Sequence, residues 1–424
     1  MHPYSSHSPH PPGRSVANRR SAALLGATLL AVALLAASCS GSTSERTGSS
    51  APPAETTAET QGDSSPPPST SSPVELPETT SAPTATNSSA PDEALLDPDA
   101  LSTYVEDVRR VELVGRAGQA LIVDDDTFFG GRIDAPEYIE PSAWRSLRVL
   151  GLTDQNASYE AEMRARSAAL RGACCPSQLR AGLDDITTAF VTVHELTHQA
   201  DRQLVSQGQR NRPIEIREVT VVELAIDEGN AHRVAAAWAN TLPPDARDSA
   251  LGALEILPAD GGPEISAAAA RIMTFGYDEG RLFTQALVED GGEDAVDTAL
   301  ANAPVVSALV LFPQRYIDGI EAPLVPAPTA PAGAESVGTH RLGAFGLLLL
   351  AEQTMTPVDA RSLAGAWAGD AMTGWTGPTG EECVSLDLMM EDAQSADAAA
   401  GALGDDAVVA QRRVTLSRCV SGAG

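Results

Sequence analysis

The sequence predicts an α+β protein, mainly helical, with a small α+β element at its C-terminus. Two patterns support this class, and composition sets its limits. Leu183, Ile186, Phe190, Val193, Thr197, Ala200 and Leu204 recur at gaps of three and four, the repeat of a helix with one buried stripe. Near the C-terminus, Val414, Leu416 and Arg418 alternate with Thr415, Ser417 and Cys419, the period of a half-buried strand. Segments rich in Pro, Ser, Thr and Ala, over 40–94 and 323–336, bound what can fold among the 424 residues. The formal net charge of −29 argues against nucleic acid as a partner, because phosphate would be repelled.

Residues 1–38 read as an export signal. Arg14, Arg19 and Arg20 precede an uncharged apolar run, "SAALLGATLLAVALLAA", that ends in small residues. "LLAASCSGS" resembles a bacterial lipobox with Cys39 as the lipidated residue, although Ala36 stands where Leu is usual. Residues 39–95 hold too little apolar surface to offset the entropy of ordering. They read as a disordered tether. Residues 96–335 then form the main folded domain, and residues 336–424 the C-terminal α+β subdomain.

The chain has five cysteines, Cys39, Cys174, Cys175, Cys383 and Cys419. An odd count in an exported protein needs an explanation, and lipidation of Cys39 leaves an even number. A Cys383–Cys419 bridge is expected, because both lie in β-like runs. Cys174 and Cys175 then remain as an adjacent bridge or as thiols, and the crossed pairings stay open.

The segment "LDDITTAFVTVHELTHQADRQLV" contains no Pro or Gly, so His194 and His198 lie on one helix, a turn apart beside the buried stripe. Two imidazoles so placed can bind one Zn²⁺, and this is the arrangement a zincin needs. Glu195, between them, takes a proton from the attacking water as general base.

A third protein ligand is required. The next helical segment is expected over 214–241 and carries Glu223, Asp227, Glu228 and His232. Gly229 in its interior costs roughly 1 kcal/mol relative to Ala, which predicts close approach of this helix to the first. Glu228 is then the expected third ligand. Glu223 is the alternative, with Asp227 supporting a ligand histidine.

"HELTH" followed by "AIDEGNA" resembles the gluzincins, in which the glutamate of a similar "NEGFA" segment binds zinc. The order "HELTHQADRQ", "EGNA", "FGYDEGRLFTQALVEDGGEDAVDTAL", "APVVSALVLFPQRY" and "GAWAGD" is similar to a group of zinc-peptidase-like lipoproteins of actinobacteria and other prokaryotes. The resemblance covers roughly 149–420. It implies a zincin-like domain, Zn²⁺ held by His194, His198 and Glu228, and peptide hydrolysis.

Three departures stand out. Arg202 replaces the usual Asp after the second histidine, and Phe312 replaces the usual His before Tyr316. "GACCPSQL" (172–179) takes the place of the strand that normally precedes the helix.

An oxyanion needs a stabilising donor. His232, one turn after Glu228, is the first candidate, ahead of Tyr277 and Tyr316. There is no G-x-S-x-G stretch, Walker loop or dinucleotide fingerprint. "GLLLLAEQ" (346–353) reads as a buried helix too short to span a membrane. The expected protein is an extracytoplasmic, lipid-anchored zinc metallopeptidase acting on peptides or proteins. The competing class is a non-catalytic envelope lipoprotein that uses the same scaffold for binding.

Overall fold

The computed structural model describes residues 96–114, 121–129, 139–174, 177–205, 216–253 and 265–421. All belong to one compact unit, Pro83–Gly424. The signal over 1–38, the tether over 39–95, Cys39 and Cys175 lie outside the described residues.

The first elements are α1 (Pro98–Arg109), β1 (Leu121–Val123), α2 (Asp125–Phe129), α3 (Pro141–Val149) and α4 (Tyr159–Ala169). They are followed by β2 (Gly172–Ala173), β3 (Gln178–Arg180), α5 (Asp185–Leu204), α6 (Leu224–Ala239) and α7 (Pro244–Gly252). Next come α8 (Ala267–Ala301), α9 (Ser307–Leu311), α10 (Pro313–Ile317), β4 (Glu335–His340), α11 (Gly343–Glu352) and α12 (Pro357–Gly365). The chain ends with β5 (Trp367–Thr376), β6 (Glu382–Met390), α13 (Ala393–Leu403), β7 (Val408–Ala410) and β8 (Arg413–Val420). The class is α+β and predominantly helical, with two small sheets.

α5 forms where the apolar repeat places it. Asp184 caps its start by accepting from the backbone N–H of Thr187 at 2.9 Å. Phe190, Val193, Thr197 and Ala200 of the expected stripe are buried, and Leu204 at its end is exposed. Burying a side chain such as Phe190 or Val193 contributes about 1.5–3 kcal/mol each.

The stripe enters a hydrophobic cluster with Leu101 and Val105 of α1 and with Val234, Ala235 and Trp238 of α6. The N-terminal half of α6 joins a larger cluster instead, through Ala225 and Ile226. The sequence division at 335/336 falls within β4, and this larger cluster contains residues from both sides of it.

The second helix is shorter than the sequence suggested. Residues 216–223 are not helical, and α6 begins at Leu224. Val219, Thr220, Val221 and Val222 form a β-branched run that favours extended backbone. Main-chain bonds hold it there: Val219 N–H donates to Arg341 O at 2.9 Å, and Arg341 N–H donates to Arg217 O at 2.8 Å.

Gly229 also corrects the sequence reading. A Cβ there would lie 2.2 Å from the carbonyl carbon of Gly280, and one at Gly280 would lie 2.2 Å from Ala225 O. The close approach is therefore between α6 and α8, not between α6 and α5. One residue of helix turns the direction by about 100°, so Gly229 faces α8 while Glu228 faces α5.

The C-terminal region follows its alternation. Its antiparallel sheet has the order β4-β5-β6-β8-β7. The alternating run lies in β8, which joins β7 through a tight turn at Gln411, whose φ of 58° lies in the left-handed region. Cys383 and Cys419 face each other in the β6–β8 register and form a disulfide. Cys174 is also disulfide-bonded. α11 is buried over Gly343–Ala351. Among the described residues no helix is long and apolar enough to cross a membrane.

Candidate metal centre

α5 presents His194 and His198 one turn apart, and α6 presents Glu228 opposite them. The Nε2 atoms of the two imidazoles lie 3.1 Å apart. Oε2 of Glu228 lies 3.3 Å from Nε2 of His194 and 3.4 Å from Nε2 of His198. Among the described residues this is the one group of three or more such side chains able to share an ion.

The spacing tests the fit. An ion bound tetrahedrally at about 2.0–2.1 Å holds its ligand atoms about 3.3–3.4 Å from one another. Two imidazole nitrogens and one carboxylate oxygen are also a donor set that suits zinc. The residues present fit the ion.

The electrostatics agree with convergence on one point. Burial opposes charge on His198, but the carboxylates of Glu228, Glu195 and Asp227 outweigh it and hold the imidazole up at about 9. Burial pushes His194 down toward its neutral form, against the pull of Glu228. Burial also opposes ionisation of Glu228, yet the two imidazoles hold its carboxyl well below the usual range.

Glu195 lies on the same turn as the histidines and is buried. Its carboxylate rests against the backbone of Gly172, where an added Cβ would stand 2.6 Å from Oε1. The segment "GACCPSQL", read as replacing a strand, in fact supplies β2 and β3. β2 is an edge of the order β1-β3-β2, paired antiparallel with β3. Gly172 was missed because its reason lies in a contact across the fold, and a lone Gly beside two cysteines gives no local sign of it.

His232 sits one turn beyond Glu228, as expected, and meets a ligand histidine from behind. Its Nδ1 is 3.2 Å from Nδ1 of His194, the nitrogen on the opposite side of that ring from Glu228. Tyr277 joins the centre: its ring stacks on His194 at 6.1 Å and meets His232 edge-on at 5.1 Å. The guanidinium of buried Arg166 donates to its hydroxyl at 3.4 Å. Glu228 and Tyr277 border a cavity of about 10 Å³ with Val221, Leu224, Ile272, Met273 and Gly276.

Other candidates fall elsewhere. Glu223 stands just before α6 and lies 3.8 Å from Arg217, away from the converging atoms. Tyr316 donates to Asn302 O at 2.7 Å and packs on Phe283. Phe312 lies beneath the guanidinium groups of Arg315 and Arg361. The acidic residue expected at position 202 stands one place earlier: Asp201 is fully buried and paired with Arg109 at 2.8 Å.

Comparison with protein-family models, with curated proteins and with solved structures finds no match.

Proposed function

We propose that this chain is a zinc-dependent metallopeptidase of gluzincin type, with a zincin-like domain held at the extracytoplasmic face of a membrane by lipid on Cys39. The observation that carries the reading is the triangle of His194, His198 and Glu228 donor atoms, with Glu195 on the same helical turn. When bound, zinc supplies Lewis acidity toward water and the substrate carbonyl.

The chain's own residues do the rest. Glu195 accepts the proton of the attacking water at its carboxylate and returns it to the leaving amine. Gly172 leaves room for that carboxylate. His232, through its 3.2 Å contact, fixes the ring of His194. Tyr277, with its hydroxyl engaged by Arg166, is the better placed of the two tyrosines to meet charge on the carbonyl oxygen.

The test is Glu195→Gln in the full-length protein. Cleavage of a peptide library is expected to fall by about 10²–10⁴-fold, with zinc content equal to wild type. Unchanged cleavage removes Glu195 from the mechanism.

The non-catalytic reading has one observation in its favour: the cavity beside Glu228, at about 10 Å³, has room for about one water molecule. A wild type that holds zinc and cleaves nothing across broad libraries selects that reading. For the anchor, Cys39→Ala is expected to move the protein from the membrane to the soluble fraction. A mature wild-type N-terminus other than modified Cys39 overturns it.

A further inference from the structure

One group of buried ionic side chains takes no direct part in that chemistry. Asp201 lies on α5, three residues after His198, and is fully buried. Nε of Arg109, on α1, reaches it at 2.8 Å, and the same guanidinium pairs with Glu293 and Asp297 on α8. Asn230, two residues after Glu228 on α6, donates to the other oxygen of Asp201 at 2.9 Å. Arg233 donates to Oδ1 of Asn230 at 2.7 Å and to Oε2 of Glu293 at 2.9 Å.

These contacts close a ring through Asp201, Arg109, Glu293, Arg233 and Asn230. It crosses α5, α1, α8 and α6, and its two cations balance its two anions. The break in α8 serves it: Gly292, at φ 69°, interrupts the helix immediately before Glu293.

Stability alone does not explain such a ring. Buried ion pairs give up hydration and often contribute no more than apolar residues of the same volume. What they add is direction. Apolar packing tolerates a small slide or rotation of one helix on another, whereas a closed circuit of directional bonds does not. The ring joins the two helices that bear the ligands, within one turn of His198 and of Glu228.

We propose that the ring is a positioning device for the metal centre. The Asp201–Asn230 contact sets the spacing and rotation of α5 against α6, so that His198 and Glu228 bring their donor atoms to 3.4 Å. Arg109 locks that contact, which makes α1 part of the centre although it bears no ligand. The inference rests on the metal-binding reading of His194, His198 and Glu228, and not on peptide hydrolysis.

The experiment measures Zn²⁺ affinity by competition with a chromophoric chelator, and the visible spectrum of the Co²⁺-loaded protein, in the full chain. Asn230→Ser loses the bridge without leaving an uncompensated charge. Arg109→Met opens the ring at its other side. Leu101→Ala truncates the core contact of α1 and leaves the ring intact, as a control for lost stability.

Both ring variants are expected to bind Zn²⁺ about 10- to 100-fold more weakly, with a changed Co²⁺ spectrum. Leu101→Ala keeps wild-type affinity and spectrum. If Arg109→Met does not fold, Asn230→Ser carries the same test. Ring variants with wild-type affinity overturn the proposal, as does Leu101→Ala weakening binding equally. A wild type that binds no Zn²⁺ overturns it together with the metal reading. Peptidase activity enters none of these readouts, so its failure is told apart from failure of the ring.

Discussion

Asp370, buried in the C-terminal sheet, and Glu228, half-buried in the helical region, are both carboxylates in contact with nitrogen, but they are used in opposite ways. Asp370 accepts from the backbone N–H groups of Leu342 at 2.6 Å and Gly343 at 3.0 Å, and from Nε1 of Trp367 at 2.9 Å. Each of those donors brings its own proton. Glu228 instead meets two imidazole nitrogens that also face each other at 3.1 Å. In the metal-free protein His198, held up at about 9, brings one proton to this point, while His194, pushed toward its neutral form, brings none of its own if its single proton serves the nitrogen it shares with His232. Lone pairs therefore outnumber protons at the meeting point. A carboxylate satisfied by protein donors is a structural staple, whereas one converging with other lone pairs calls for a cation.

The comparison breaks if the two residues exchange effects. Glu228→Ala is expected to weaken zinc binding by roughly 10³-fold or more, since one of three ligands is lost. Asp370→Ala leaves three buried donors without an acceptor and should cost about 3–5 kcal/mol of stability with zinc affinity unchanged. Urea unfolding of the metal-free proteins, beside zinc titration, reads both.

Gly229→Ala probes the far face of the ligand helix. A methyl group 2.2 Å from Gly280 backbone cannot be accommodated without parting α6 from α8. The expected loss is about 3 kcal/mol, with weaker zinc binding as Glu228 moves. A thermal-unfolding temperature equal to wild type would show that the helices separate freely.

These contrasts also show what the sequence could convey. His194, His198 and Glu228 were legible because one helical turn and a short motif are local, and the stripe from Phe190 to Ala200 says which way α5 faces. Cys383 and Cys419 were legible from strand alternation. The start of α6 was misjudged because the β-branched run Val219–Val222 carried more weight than the helical repeat beyond it. The partner of Gly229 was misassigned because a glycine signals close approach without naming the neighbour. The role of His232, the contact at Gly172 and the ring through Arg109 join residues distant in sequence, and only the packed helices bring them together.

Protons sharpen the comparison further. In the metal-free protein His198 is held up at about 9, so over most of the pH range zinc must displace a proton from it. Zinc affinity should rise by up to about tenfold per pH unit toward pH 9 and then level off. The raised folded-state value also means that His198 stabilises the metal-free fold below its unfolded value of 6.5. That contribution is lost as pH rises toward 9. Chelator competition between pH 6 and 10, at roughly unit intervals, checks the first statement. A flat profile contradicts it.

The effect with the least bearing on zinc lies on the other side of the comparison. Burial pushes Glu218 up to about 8, with Asp370 adding to the rise while Ser307 opposes it. Its carboxyl therefore stabilises the fold fully below its unfolded value of 4.5 and loses that contribution as pH climbs to about 8. The slope is at most about 1.4 kcal/mol per pH unit. Glu218→Gln should flatten stability against pH across that window and leave the zinc profile as in wild type.

The most direct measurement is X-ray absorption at the zinc edge on purified full-length protein, with metal analysis of the same sample. The account predicts one zinc per chain, with two imidazole nitrogens and carboxylate oxygen at about 2.0–2.1 Å, and loss of the carboxylate in Glu228→Ala. Wild-type protein without zinc, or a coordination shell unchanged in Glu228→Ala, would contradict it.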